Sequence, residues 1–141
     1  MAKKPSKPVS HQVRERADYR CEYCQASEWL TGQQHEIDHV HPKVLGGHTT
    51  LDNLALACSA CNGHKHDETE AIDPVTNEFT PLYNPRTQIW PDHFAWSQDG
   101  LTIIGLTTCG RATIHLLQMN RPLALAARSI WVMVRRHPPK T

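Results

Sequence analysis

No run in this chain approaches the eighteen or more consecutive apolar residues of a membrane span, and the opening MAKKPSKPVS has basic residues with no apolar stretch behind them. The expectation is a soluble, cytoplasmic protein with no membrane partner. Apolar side chains are scarce throughout, 39% of 141 residues, while Pro and His number ten each. One compact domain suits that length and two large cores do not. With so little to bury, something besides apolar contact is needed to hold the fold, and a metal is one candidate. A large net charge is lacking too: the formal value is +1, which by itself says nothing about partners. Its distribution says more. Lys3, Lys4, Lys7, Arg14, Arg16 and Arg20 crowd one end, Arg128, Arg135, Arg136 and Lys140 the other, and Asp67, Glu68, Glu70 and Asp73 lie between them. Basic ends make a phosphate-facing surface if they meet in space, and a solubilising tail with a solvated helix face if they do not.

What is present falls into three stretches: a disordered Lys- and Pro-rich arm over 1–9, a core over 10–70, and an extension over 71–141 expected to pack on that core. Ser10 is placed to cap a short helix through about Asp18, with Val13 and Ala17 on one face. CEYC follows as a tight turn. His35 to Val40 reads as a short strand, HPKVLGG as a loop, and NLALAC, from Asn53 to Cys58, as a second, alternating strand. Ser59 then caps a helix through ACNGHKHD. Beyond Asp67, the stretch AIDPVTNEFTPLYNPRTQIWPDHFAWSQDG has no helical periodicity and reads as ordered but irregular, with Trp90, Phe94 and Trp96 as packing residues. LTIIGLT is a strand after an Asp99, Gly100 turn, and helices are expected from Gly110 to Met119 and from Pro122 to Arg136. In the last of these Leu123, Ala127, Ile130, Trp131 and Val134 share a face. The fold class is α+β.

Two C-x-x-C pairs, Cys21 with Cys24 and Cys58 with Cys61, carry the metal argument. This spacing lets a tight turn aim two thiolates at one ion, and two such turns complete a tetrahedral zinc shell. Disulfides or a redox dithiol are the other readings, and a chain expected in a reducing compartment argues against the first. Four thiolates close the shell, so this zinc, one per chain, is structural. Cys109 is left over as a small core residue.

Between and just after the pairs lie Asp38, His39, Asn53, Asn62 and Lys65. A lone Asp-His pair is commonly a surface turn, Asn53 a strand-start residue and Asn62 a helix surface residue. Held by the zinc frame, Asp38 and Asn62 can instead converge on one hard cation, since a carboxylate and an amide carbonyl suit Mg²⁺ or Mn²⁺. Together CEYC, EIDHVHPKVLGG and LDNLALACSACNGHK resemble the HNH endonuclease family, whose fold is the ββα-metal finger. The resemblance covers about residues 10 to 67 and also lines up without gaps on the HNH domain of RNA-guided CRISPR nucleases. It implies a small zinc-stapled ββα-metal core with a C-terminal extension, similar in its sequence to that of small stand-alone bacterial HNH proteins.

Position by position, the resemblance implies that His39 is the general base, and that Asp38 and Asn62 ligate a catalytic Mg²⁺ or Mn²⁺, with Ni²⁺ as a further option. Asn53 supports the loop and the orientation of the base, and Lys65 matches a recurring basic position that steadies a phosphate. His35, Glu36, His41, His64 and His66 carry no assigned role. The implied reaction is hydrolysis of DNA phosphodiester bonds to 5′-phosphate and 3′-hydroxyl ends, on double-stranded DNA with RNA not excluded, by a monomer or homodimer. A non-catalytic, zinc-stabilised DNA-binding module of a larger assembly is the rival expectation.

Overall fold

The computed structural model describes residues 4–140. The fold is α+β and forms two compact units, one comprising the chain up to Thr69 with Asn84–Gln88, the other Glu70–Tyr83 with the chain from Ile89 onward.

The first unit opens with α1, Lys7–Arg16, capped by Ser6, whose hydroxyl accepts from the Val9 amide at 3.3 Å. The cap is therefore Ser6 and not Ser10, whose own amide already donates to the Ser6 carbonyl within the helix. Pro8 in the first turn, with φ preset for a helix and no amide hydrogen to satisfy there, explains the earlier start. Of the arm expected at 1–9, residues 1–3 lie outside the described residues and Lys7 to Val9 are helical. Val13, fully buried, packs with Leu54 and Leu56, and Val9, Ala17 and Ile37 close the cluster.

Leu54 and Leu56 belong to β2, Leu54–Ala57, which pairs antiparallel with β1, Glu36–His39, in the register Glu36 with Ala57 and His39 with Leu54. All four β2 residues are buried rather than alternating. The reason is cover on both faces, α1 against β2 and the following helix α3, Ser59–Lys65, against β1. Between α1 and β1 sits a single turn, α2, Glu28–Thr31, whose Glu28 pairs with Arg14 and accepts the His35 amide at 2.6 Å. Arg86, in the returning segment, pairs with Glu22, which also accepts the Leu56 amide at 2.8 Å.

The second unit contains a hairpin of β3, Glu70–Ile72, and β4, Phe79–Pro81. Asp73 builds its turn by accepting from the Val75 amide and the Thr76 hydroxyl, both at 3.0 Å. A one-turn helix α4, Trp90–His93, runs into β5, Phe94–Trp96, which pairs antiparallel with β6, Ile103–Gly105. The stretch expected to be irregular thus holds three strands. Each is only three residues long, too short for a period of two to show. Two helices complete the unit, α5, Thr108–Leu117, and α6, Pro122–Met133. Trp90 lies 5.1 Å from Phe94 and 5.6 Å from Trp96 between ring centres, so these rings pack on one another. Cys109 is half-buried.

Of the apolar residues that share a face of α6, Leu123, Ile130 and Val134 are exposed, and it is Ala124 and Arg128 that are buried. Arg128 turns inward because its guanidinium meets three acceptors there, the carbonyls of Leu101 (2.9 Å) and Met119 (2.6 Å) and the side-chain oxygen of Asn120 (3.1 Å). No helix among the described residues is long and apolar enough to cross a membrane.

Candidate active site

Two short turns build the cysteine cluster. The Cys24 amide donates to the Cys21 sulfur at 3.4 Å, and the Cys61 amide donates to the Cys58 sulfur at the same distance. Cys58, rather than Ser59, is consequently the cap of α3. All four sulfurs are buried and lie within 4.8 Å of one another, and those of Cys24 and Cys58 are 3.7 Å apart. Sulfurs at about 2.3 Å from a shared tetrahedral ion stand roughly 3.8 Å apart, so the cluster has the size of a zinc shell. No disulfide links them. Burial pushes the Cys21 thiol well above its ordinary range, and a bound cation is what would let the four ionise together. Among the described residues no other group of three or more His, Cys, Asp or Glu ligand atoms gathers in this way.

Beside this frame opens a cleft of ≈ 540 Å³, lined among others by Glu36, Asp38, His39, Lys43, Asn62 and His66. Asp38 is 4% exposed. Its Oδ2 accepts the Tyr23 phenol at 2.7 Å and its Oδ1 the Lys65 ammonium at 3.3 Å. Burial pushes the Asp38 carboxyl above its ordinary range, and the Lys65 charge and the Tyr23 hydrogen bond work against that rise. Lys65 itself is 2% exposed and also donates to the His39 carbonyl at 3.2 Å. The expectation that it steadies a phosphate is therefore corrected: its ammonium is spent inside the protein, and the exposed lysines on the cleft are Lys4 and Lys43.

His39 ends β1, and its Nε2 lies 2.8 Å from the Thr49 hydroxyl. With Nε2 donating to that oxygen, Nδ1 carries the lone pair. Burial first, then the charges of Lys43 and Lys65, lower its pKa below the usual histidine value, which favours the neutral imidazole. Asn53 does not line the cleft; it braces the loop that leaves it. Its Oδ1 accepts the His41 amide at 2.9 Å, and its Nδ2 donates to the carbonyls of His41 (3.1 Å) and His48 (2.9 Å). The same loop requires Gly47, where a Cβ would stand 1.8 Å from the His41 carbonyl oxygen, and Gly46, whose φ is +96°. His41 only closes this loop, its Nε2 lying 3.1 Å from the Leu45 carbonyl.

Asn62, on α3, donates from Nδ2 to the Glu36 carboxylate at 2.9 Å, a bond in which its carbonyl oxygen takes no part. The structure thus brings Asp38, His39 and Asn62 to one cleft, sets Asn53 behind the loop and Lys65 beneath the strand. Sequence reasoning missed Tyr23, Thr49 and Glu36 as the partners of these groups. Tyr23 had a signal, an aromatic residue inside a cysteine turn; Thr49 and Glu36 had none, because their contacts arise only on folding.

Residues 21–68 match the HNH endonuclease family. The HNH segment so defined begins at the first cysteine and ends just beyond α3, enclosing both cysteine pairs, the cleft and its loop. No curated protein and no solved structure matches the chain. Members of the family are nucleases that act on nucleic acid with a metal, and the HNH segment here carries a four-cysteine site of zinc dimensions. The donor set on the cleft, a carboxylate and an amide carbonyl, also fits a hard divalent cation.

Proposed function

We propose that the protein is a metal-dependent endonuclease that hydrolyses DNA phosphodiester bonds, with His39 as general base and Asp38 and Asn62 as the holders of Mg²⁺ or Mn²⁺. The observation that carries this reading is the presence of Asp38, His39 and Asn62 on one cleft inside the HNH segment. When bound, the cation relieves charge on the scissile phosphate and on the departing oxygen. His39, its neutral form favoured by burial and by the nearby lysines and its ring fixed through Nε2 by Thr49, takes a proton from the attacking water at Nδ1. Asn53 keeps the loop after His39 in place, so the imidazole does not have to be ordered during the reaction. Lys43, exposed on the cleft, is the basic residue placed to meet a phosphate. A site of this kind cuts one strand, so a monomer nicks and a homodimer is needed to break a duplex.

The test is a supercoiled-plasmid assay with Mg²⁺, Mn²⁺ or Ni²⁺, comparing the protein with His39→Ala. Nicking is expected, with 5′-phosphate and 3′-hydroxyl ends, and the variant is expected to lose about 10² to 10⁴ of the rate. A protein that binds DNA and nicks nothing with any of these metals is the zinc-stabilised binding module instead, and equal cutting by His39→Ala removes the assigned base.

A further inference from the structure

Of the two side chains that hold Asp38, one lies within the first cysteine turn and the other on the helix that begins at the second. Tyr23 lies within the first, between Cys21 and Cys24, and is fully buried. Lys65 stands four residues after Cys61, one turn further along α3 from the second, and is 2% exposed. Tyr23 donates to one carboxylate oxygen at 2.7 Å and Lys65 to the other at 3.3 Å. Each oxygen keeps a lone pair beyond the one so occupied. The carboxylate is pinned through both oxygens, its rotation about the Cβ–Cγ bond is fixed, and its small accessible part lies on the cleft. A carboxylate left to rotate on a strand end would have to be ordered each time a cation arrives. One held in advance has no such ordering cost.

We propose that Tyr23 and Lys65 are positioning residues that hold the Asp38 carboxylate in its cation-binding orientation, so that the cysteine frame sets the affinity of the cleft for its divalent metal. This rests on the proposed role of Asp38 as a metal ligand. The frame therefore does more than stabilise the fold. Whatever shifts the first cysteine turn against α3 shifts the phenol and the ammonium with it, and the carboxylate follows.

The experiment measures Mn²⁺ binding to the zinc-loaded full chain by electron paramagnetic resonance, without DNA, alongside the Mn²⁺ dependence of plasmid nicking. Tyr23→Phe keeps the ring and removes only the hydroxyl donor. It is expected to retain its zinc, to need about 10- to 100-fold more Mn²⁺ for half-saturation, and to approach the unmodified maximal rate and DNA KM once Mn²⁺ is saturating. Unchanged Mn²⁺ affinity in a zinc-loaded Tyr23→Phe overturns the inference. Should that variant fail to fold, Lys65→Met and Lys65→Gln decide the matter. Positioning predicts that Met weakens Mn²⁺ binding and that Gln, which still donates a hydrogen bond, restores much of it. If both bind Mn²⁺ as tightly as the unmodified chain, or more tightly, Lys65 acts only as a competing charge and the inference fails. An unmodified protein that binds no Mn²⁺ at all would instead overturn the assignment of Asp38 as a ligand, a separate result.

Discussion

The two units solve the same shortage of apolar surface by different chemistry. The first buries a small cluster of Val13, Leu54 and Leu56 and gathers four cysteine sulfurs within 4.8 Å. The second buries Ala71, Leu82 and Ala112, stacks Trp90, Phe94 and Trp96, and ties its elements with two arginines. Arg111 grips both oxygens of Asp73, with Nη2 at 2.8 Å, and Arg128 meets three acceptors while lying 5.4 Å from the centre of the Trp96 ring. Both units use donors and acceptors that satisfy each other, but only the first also gathers four sulfurs that a cation would hold together. The difference predicts what each unit is sensitive to.

The largest effect is expected from Cys58→Ser or from zinc removal with a strong chelator. Structural zinc sites of this kind contribute on the order of 10 kcal/mol of binding free energy, which is folding free energy for the unit that depends on it. Hydrogen exchange across the chain should lose protection at Leu54 to Ala57 and through α3, while the amides of α5 keep theirs. A zinc-free Cys58→Ser with unchanged protection in β2 would show that the first unit stands without the metal.

Arg128→Ala should reverse the pattern at smaller scale. Removing a 2%-exposed guanidinium leaves the carbonyls of Leu101 and Met119 without that donor, at a cost of about 3 kcal/mol. Lower protection in β6 and α6, with zinc content intact, is the expected outcome; an unchanged melting temperature would mean that water replaces the donor without penalty.

The smallest effect concerns acid. The Arg111 hydrogen bonds, helped by the Val75 amide and the Thr76 hydroxyl, hold the Asp73 carboxyl well below the usual carboxylate range. A group depressed on folding stabilises the native state above its unfolded pKa, about 3.9, and loses that contribution as the pH falls through that value toward the folded one. The difference in melting temperature between the unmodified chain and Asp73→Asn should therefore be constant from neutral pH to about 5 and shrink below about 4. A difference that persists undiminished at pH 3 would remove the ion pair as its source.

How far the sequence could be read follows the same division. Cys21, Cys24, Cys58 and Cys61 are legible because ligand spacing is a local property of a chain, whereas Asp38, His39, Asn53 and Asn62 were singled out chiefly by the resemblance to the HNH family. The strand, loop, strand, helix order came with them. Lys65 was misjudged because a lysine is ordinarily solvated, and only the closing of α3 over β1 reveals an acceptor pair inside. The exposure of Leu123, Ile130 and Val134 has a related reason. Periodicity selects the row of large apolar residues, whereas close packing chose Ala124 and the acceptors chose Arg128. Tyr23 sat in plain view in CEYC, yet nothing local says that its hydroxyl ends on a carboxylate fifteen residues away.

The pairing of His39 with Leu54 fixes a parity as well as a distance. Successive side chains on a strand point to opposite faces, so a one-residue slip of β1 would hand Ile37 or His39 to the phenol of Tyr23 and the ammonium of Lys65, and turn Asp38 toward the packing of Val13 and Leu56. The loop braced by Asn53 and closed over Gly47 thus works as a counting device: it admits one length of chain between His39 and Asn53, and which side chain faces Tyr23 and Lys65 depends on the count being right.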